Sequence, residues 1–253
     1  MTALMRLNDL EIYLNQLLDT VRFHDYCPNG LQVEGRNEVR RLVSGVTASF
    51  ELLEAAVAAD ADAILVHHGY FWRGEDPCLV GMKHRRIAYL MRHNVGLLSY
   101  HLPLDAHPEF GNNIQLARRL GFVEAGRFGD QNIAMHGTVL SEVSNLKVLG
   151  TTIENALARK PLVIGDEAKP IVRVAWCTGG AQDYFDEAIR LSVDAYITGE
   201  VSERVVHAAR ESEVAFISAG HHATERYGVQ ALGEHISERF GVAHQFIDID
   251  SPV

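Results

Sequence analysis

Apolar and polar positions alternate along this chain in short blocks of two different periods. Asn8-Asp9-Leu10-Glu11 pairs a capping residue with a glutamate three positions on, and Leu10, Leu14, Leu17, Leu18 and Val21 follow at helical spacing. That predicts an opening amphipathic helix, broken by the turn residues Pro28-Asn29-Gly30. Beyond the turn, strand-like and helical patterns take turns. Strands are predicted over 42–46, 62–66 and 95–100, and helices over 50–59, 84–93 and 113–120. The order then returns, with strands over 172–177, 194–198, 214–218 and 242–249 and helices over 184–191, 201–210 and 224–240. Short apolar strands alternating with helices predict βαβ units on a largely parallel sheet.

The two halves share landmarks in order. Val46-Thr47 answers Cys177-Thr178, Asp62-Ala63-Ile64 answers Asp194-Ala195-Tyr196, and Val95 to Ser99 answers Val214 to Ser218. The third spacing is shorter than the first two, which places an insertion in residues 69–81 of the first half. The pattern predicts an α/β protein of two similar lobes made by internal duplication. The expected boundaries are 1–125 for the first lobe, 126–165 for a connecting segment and 166–253 for the second lobe.

Composition narrows the class. Of 253 residues, 47% are apolar and 22% charged, the balance of a folded globular chain. Lys and Arg total 23 against 33 Asp and Glu, a net charge of −10 that disfavours nucleic acid and anionic membranes as partners. The longest apolar runs, such as Ala55-Ala56-Val57-Ala58-Ala59, are far too short to span a bilayer. Arg6, Asp9 and Glu11 stand where a secretory leader over residues 1–19 would need an apolar stretch. Cys27, Cys78 and Cys177 are odd in number and make no CxxC, which suits a reducing cytoplasmic setting.

The thirteen histidines change the picture. Three groups, His67-His68, His101 with His107, and His221-His222, each follow a predicted strand, at the carboxyl edge where open parallel sheets bind ligands. Two histidines in succession face opposite sides of a sheet, so both can serve one site only if the strand has ended, as Gly69 suggests. Asp105 lies on the loop after His101, and Glu225 stands four residues after His221, one helical turn away if a helix starts there. Imidazole and carboxylate without thiolate suit Zn, Fe or Mn, and the ligand types do not choose among them. Five or six such groups exceed the needs of one open catalytic ion and fit two, with Glu225 as a bridge. His24, His84, His93, His136, His207, His235 and His244 read as ordinary hydrogen-bonding residues.

Three further features carry candidate chemistry. Glu200, in Thr198-Gly199-Glu200, occupies the place of the paired histidines in the other half; it is a candidate to orient a ligand histidine, to act as a general base, or to cap the next helix. Trp72 and Arg73, in the inserted loop, are candidates to stack a planar base and hold a phosphate, or else to pack the loop. Gly179-Gly180 reads as turn material; no GxGxxG fingerprint or Walker loop occurs.

The motifs 28-PNGLQVEG-35, 66-VHHG-69, 101-HLPLD-105 and 220-GHHATE-225 together resemble the GTP cyclohydrolase 1 type 2 homologue family, the NIF-three-like dinuclear metal proteins, in its short bacterial form. The likeness runs from about residue 25 to the C-terminus. It implies metal ligands at His67, His68, Asp105, His221 and Glu225, with His101 near the site. It also implies two intertwined lobes with the metal site between them and a homo-oligomer, a hexameric ring. The expected function is a cytoplasmic metal-dependent hydrolase of a small nucleotide-like or heterocyclic substrate, using two divalent ions, with Glu225 and Glu200 managing protons and Trp72 and Arg73 recognising substrate. The alternative is a non-catalytic metal-binding or adaptor protein.

Overall fold

The computed structural model describes residues 5–253, so the first four residues of the stretch read against a leader lie outside the described residues. In chain order the first elements are α1 (Leu7–Leu17), β1 (Gly30–Val33), β2 (Arg41–Thr47), α2 (Phe50–Ala58), β3 (Ala63–His68), α3 (Gly81–His93), β4 (Gly96–Ser99) and α4 (Leu102–Ala106). There follow α5 (Asn112–Leu120), β5 (Val123–Phe128), β6 (Ala134–Thr138), α6 (Leu146–Leu157), β7 (Leu162–Ile164) and β8 (Arg173–Trp176). The last are α7 (Phe185–Arg190), β9 (Ala195–Thr198), α8 (Glu203–Glu211), β10 (Ala215–Ser218), α9 (His221–Phe240) and β11 (Ala243–Phe246).

The chain forms two compact units. One comprises residues up to Phe110 together with Gly228–Ile249, and the other Gly111–Tyr227 with Asp250–Val253. The first unit is a five-stranded sheet in the order β1-β4-β3-β2-β11. β2, β3, β4 and β11 run parallel and β1 pairs antiparallel with β4. Strand alternation divides its core. Leu42, Leu65 and Leu98 face α1 and α9 through Leu10, Leu14, Leu232 and Ile236, while Val43, Ile64 and Leu97 face α2 and α3 through Leu52, Leu53, Ile87 and Leu90. Burying each such side chain contributes roughly 1.5–3 kcal/mol.

The second unit is a six-stranded sheet in the order β5-β6-β8-β9-β10-β7. Its β8, β9 and β10 are parallel, and β7 pairs antiparallel with β10 as β1 does with β4. The expected repeat is therefore present: three consecutive parallel strands, β4-β3-β2 in one unit and β10-β9-β8 in the other, are flanked by an antiparallel edge strand, β1 and β7 respectively. Side-chain bonding repeats too. The Asp62 carboxylate accepts from the amides of Arg40 and Arg41, and the Asp194 carboxylate from those of Val172 and Arg173.

Three expectations need correction. Residues 126–165 are no connection: β5, β6, α6 and β7 are part of the second unit's sheet and core. These edge strands are short and largely exposed, so they carry little apolar alternation. Residues 228–249 belong to the first unit, because β11 pairs with β2. The first helix is capped at Arg6 and ends before Val21, which is 94% exposed. Glu11 makes no capping box; its carboxylate accepts from the amide of Leu31. No helix among the described residues is long and apolar enough to cross a membrane.

Candidate metal centre

In the first unit, β3 runs through both paired histidines to His68, so the strand does not end at the point the sequence suggested. Their rings still lie together, with centroids 4.5 Å apart. His67 is fully buried, and its Nδ1 is 2.9 Å from the carbonyl of Tyr100. A carbonyl only accepts, so Nδ1 carries the proton and Nε2 keeps its lone pair. That Nε2 lies 3.5 Å from Oδ1 of Asp105, on α4. Nδ1 of His68 is 3.1 Å from the Thr47 hydroxyl at the end of β2. Nδ1 of His101, just before α4, is 2.7 Å from Oδ1 of Asp25. One donor atom from each of His67, His68 and His101 lies within 4.8 Å of the other two, so the trio could hold a metal ion. Such oxygen partners on the far ring nitrogen fix the orientation of a ligating imidazole.

Asp25 was not singled out in the sequence. Its carboxylate also accepts from the amides of Tyr26 and Leu102 and from Asn29, whose own side-chain oxygen accepts from the His101 amide. Burial alone would raise the Asp25 carboxyl, but the hydrogen bond and charge of His101, with Asn29 and the Tyr26 amide, hold it below its ordinary value. No periodicity marks a lone aspartate in a loop; its nearness to Pro28-Asn29-Gly30 is the one local signal.

Residues 69–80 form neither helix nor strand, as the insertion required. Trp72 meets the His101 ring edge-on at 5.0 Å, and its indole N–H donates to the Gly69 carbonyl. Arg73 is exposed; its guanidinium donates to the Asp25 carbonyl and lies over the Tyr26 ring. His107 stays out of the trio: its Nδ1 accepts from the amides of Glu109 and Phe110.

In the second unit, α9 begins at His221, so His221 and Glu225 stand one turn apart, with Nε2 and Oε2 separated by 3.1 Å. Nδ1 of His221 is 2.7 Å from Oε1 of Glu200. Glu200 therefore orients a histidine; the helix that follows it, α8, takes Ser202 as its N-cap residue. Burial would depress the imidazole, but hydrogen bonds and charge from Glu225 and then Glu200 push its pKa up to about 9. Two carboxylate oxygens on opposite nitrogens of one imidazole mark a place suited to a cation. Among the described residues His222 joins no ligand-type group.

Gly179 completes this half. Its φ is +69°, and a Cβ there would stand 2.0 Å from Oε1 of Glu225 and 3.1 Å from Nε2 of His221. Its amide donates to the Thr224 hydroxyl, and its carbonyl accepts from the Thr198 hydroxyl and the Gly199 amide. The glycine, read from sequence as turn material, leaves open the space beside two ligand-type atoms.

Comparison with known proteins identifies the family. The profile of the Duf34/NIF3 (NGG1p interacting factor 3) family matches residues 5–252. A protein of Pseudomonas aeruginosa named GTP cyclohydrolase 1 type 2 homolog is 58% identical over 241 residues, covering 94% of this chain and 95% of its own. A protein of Escherichia coli K12 with the same name is 49% identical, covering 98% and 100%. Among solved structures, a structural-genomics protein of unknown function, ybgI, superposes with a TM-score of 0.94 at 47% identity, covering 98% of this chain and 100% of that one. A Thermus thermophilus protein superposes at 0.89 with 31% identity, again over 98% and 100%. Matched over nearly its full length by the family profile and by these relatives, the chain belongs to the Duf34/NIF3 family.

Proposed function

We propose that this protein binds two divalent metal ions through His67, His68, Asp105, His221 and Glu225, with His101 adjoining, and hydrolyses a small nucleotide-like or heterocyclic substrate. The observation that carries the reading is the grouping of His67, His68 and His101, one donor atom of each within 4.8 Å of the other two, with Nδ1 of each ring held by an oxygen partner. The space beside Gly179 supports it, since any larger residue would crowd the carboxylate and imidazole there. Bound ions of this type lower the pKa of water and polarise a substrate oxygen.

The chain's own residues supply the rest. Tyr100, Thr47, Asp25 and Glu200 hold four imidazoles in orientation. Glu225 and Glu200 are the carboxylates assigned to proton handling, and Trp72 and Arg73 the residues assigned to the substrate. The relatives' name, GTP cyclohydrolase 1 type 2 homolog, favours a substrate of the nucleotide class. The same reading includes a cytoplasmic location, to which three free cysteines are suited, and a homo-oligomer, expected as a hexamer.

Elemental analysis of protein purified without added metal, then loaded with Zn, Mn or Fe(II), is expected to give two ions per chain. Glu225→Gln is expected to lower occupancy of both ions, and His67→Ala and His68→Ala mainly of one. One ion or none in loaded wild-type protein would overturn the dinuclear assignment. A screen of nucleoside triphosphates, cyclic and damaged nucleotides and pterins with each metal tests catalysis. Turnover no faster than in the metal-stripped control for every combination would leave a metal-binding or adaptor protein.

A further inference from the structure

Asp25 stands at the centre of a dense set of contacts for a loop residue. Its side chain is only 4% exposed, and its carboxylate accepts from four donors: Nδ1 of His101, the amides of Leu102 and Tyr26, and the Asn29 side chain. Leu102 is the first residue of α4, which carries Asp105, and His101 is the residue before it. His101, the N-cap residue of α4, makes no capping hydrogen bond with its own side chain. The capping role falls to Asp25, 77 positions earlier in the chain, and to Asn29, which takes the His101 amide. The main chain of the same loop is tied in turn to the insertion: Arg73 donates from its guanidinium to the Asp25 carbonyl and from its amide to the Tyr26 carbonyl.

We propose that Asp25, seconded by Asn29, is a positioning residue of the metal centre that simultaneously orients the His101 imidazole and anchors the start of the helix bearing Asp105. The inference rests on the metal-binding reading above. A carboxylate is suited to both tasks, because one oxygen receives the ring N–H of His101 and the other receives the Leu102 amide. An asparagine offers one oxygen, so it can satisfy one of these donors and presents an N–H to the other. An alanine satisfies neither, which frees the imidazole to rotate and leaves the first amide of α4 without its cap.

The test is a Co2+ titration of metal-stripped wild type, Asp25→Asn, Asp25→Ala and Asn29→Ala. Affinity is read by competition with a chelator, coordination by the visible spectrum of bound Co2+, and folding by circular dichroism before metal is added. Asp25→Ala is expected to weaken binding about 10–100-fold and to shift the spectrum, with Asp25→Asn intermediate and Asn29→Ala milder. A merely structural residue would lower the melting temperature of all forms and leave the Co2+ spectrum of the loaded protein unchanged. Wild-type affinity and spectrum in Asp25→Asn would overturn the proposal, as they would in Asp25→Ala; if Asp25→Ala fails to fold, Asp25→Asn and Asn29→Ala decide. Wild-type protein that takes up no Co2+ would overturn the metal-binding reading itself, a result distinct from normal wild-type uptake with indifferent variants.

Discussion

Oε1 of Glu200 lies 2.7 Å from Nδ1 of His221, and Oε2 of Glu225 lies 3.1 Å from Nε2 of the same ring. One imidazole is thus held from both sides by carboxylates that reach it from different elements, the loop after β9 and the first turn of α9. The Glu200 contact repeats, in the second unit, what Asp25 does for His101 in the first.

That relationship predicts a graded loss of metal. Glu200→Gln keeps an oxygen for the ring N–H but removes the charge, and is expected to weaken binding about 10-fold; Glu200→Ala is expected to approach about 100-fold. Competition against a chelator measures both. Equal affinity in wild type and Glu200→Ala would deny Glu200 its orienting role.

Gly179→Ala tests the space beside the same ring. The left-handed backbone at φ +69° costs a non-glycine residue roughly 1–2 kcal/mol. The added methyl would also displace Glu225, since no Cβ sits 2.0 Å from a carboxylate oxygen. Reduced metal uptake and a lower melting temperature are both expected. Gly180→Ala is the control, because its Cβ would meet the Glu200 carboxylate at an ordinary 3.5 Å.

The duplicated aspartates predict unequal stability effects. Asp62 accepts from two backbone amides and from Arg36 at 3.0 Å, with its side chain 12% exposed. Asp62→Ala should cost about 2–3 kcal/mol, as two part-buried amides and Arg36 lose a charged acceptor. Asp194 makes the two amide bonds in a more exposed place, so Asp194→Ala should cost about 1–2 kcal/mol. Denaturant melts of both variants rank them; the reverse order would contradict this account.

His244 predicts an acid-sensitive first unit. Its Nε2 is 2.7 Å from the buried Ser44 hydroxyl, and α9 packs against it at Gly233. Burial lowers its pKa, and Glu234, the charged group facing it, offsets this only in part. The unfolded chain therefore takes up a proton first as pH falls below about 6.5, and the native state loses stability down through the depressed folded pKa. Melting temperature should decline over that window in wild type, and less steeply in His244→Gln. Parallel declines would exclude His244 as a source.

Much of this protein is legible in its sequence because much of it is local. Short, continuously buried runs such as Leu42 to Val46 and Asp62 to Val66 mark β2 and β3, and helical spacing marks α2, α3, α5, α7, α8 and α9, since both signals lie within a few neighbouring residues. The matching Asp62 and Asp194 disclosed the repeat, and the residue types at 67, 68, 105, 221 and 225 are ones that can ligate a cation. Tertiary structure decided whatever depends on a distant partner. Val242 to Ile249 reads as a strand, but only its pairing with β2 returns it to the first unit. Glu11 suits a capping box until Leu31 claims its carboxylate. Asp25 meets His101 across 76 positions, and Gly179 meets Glu225 across a turn that any glycine would make. A hydrogen bond or a close approach between residues so far apart leaves no period in the chain, so these relationships exist only once it has folded.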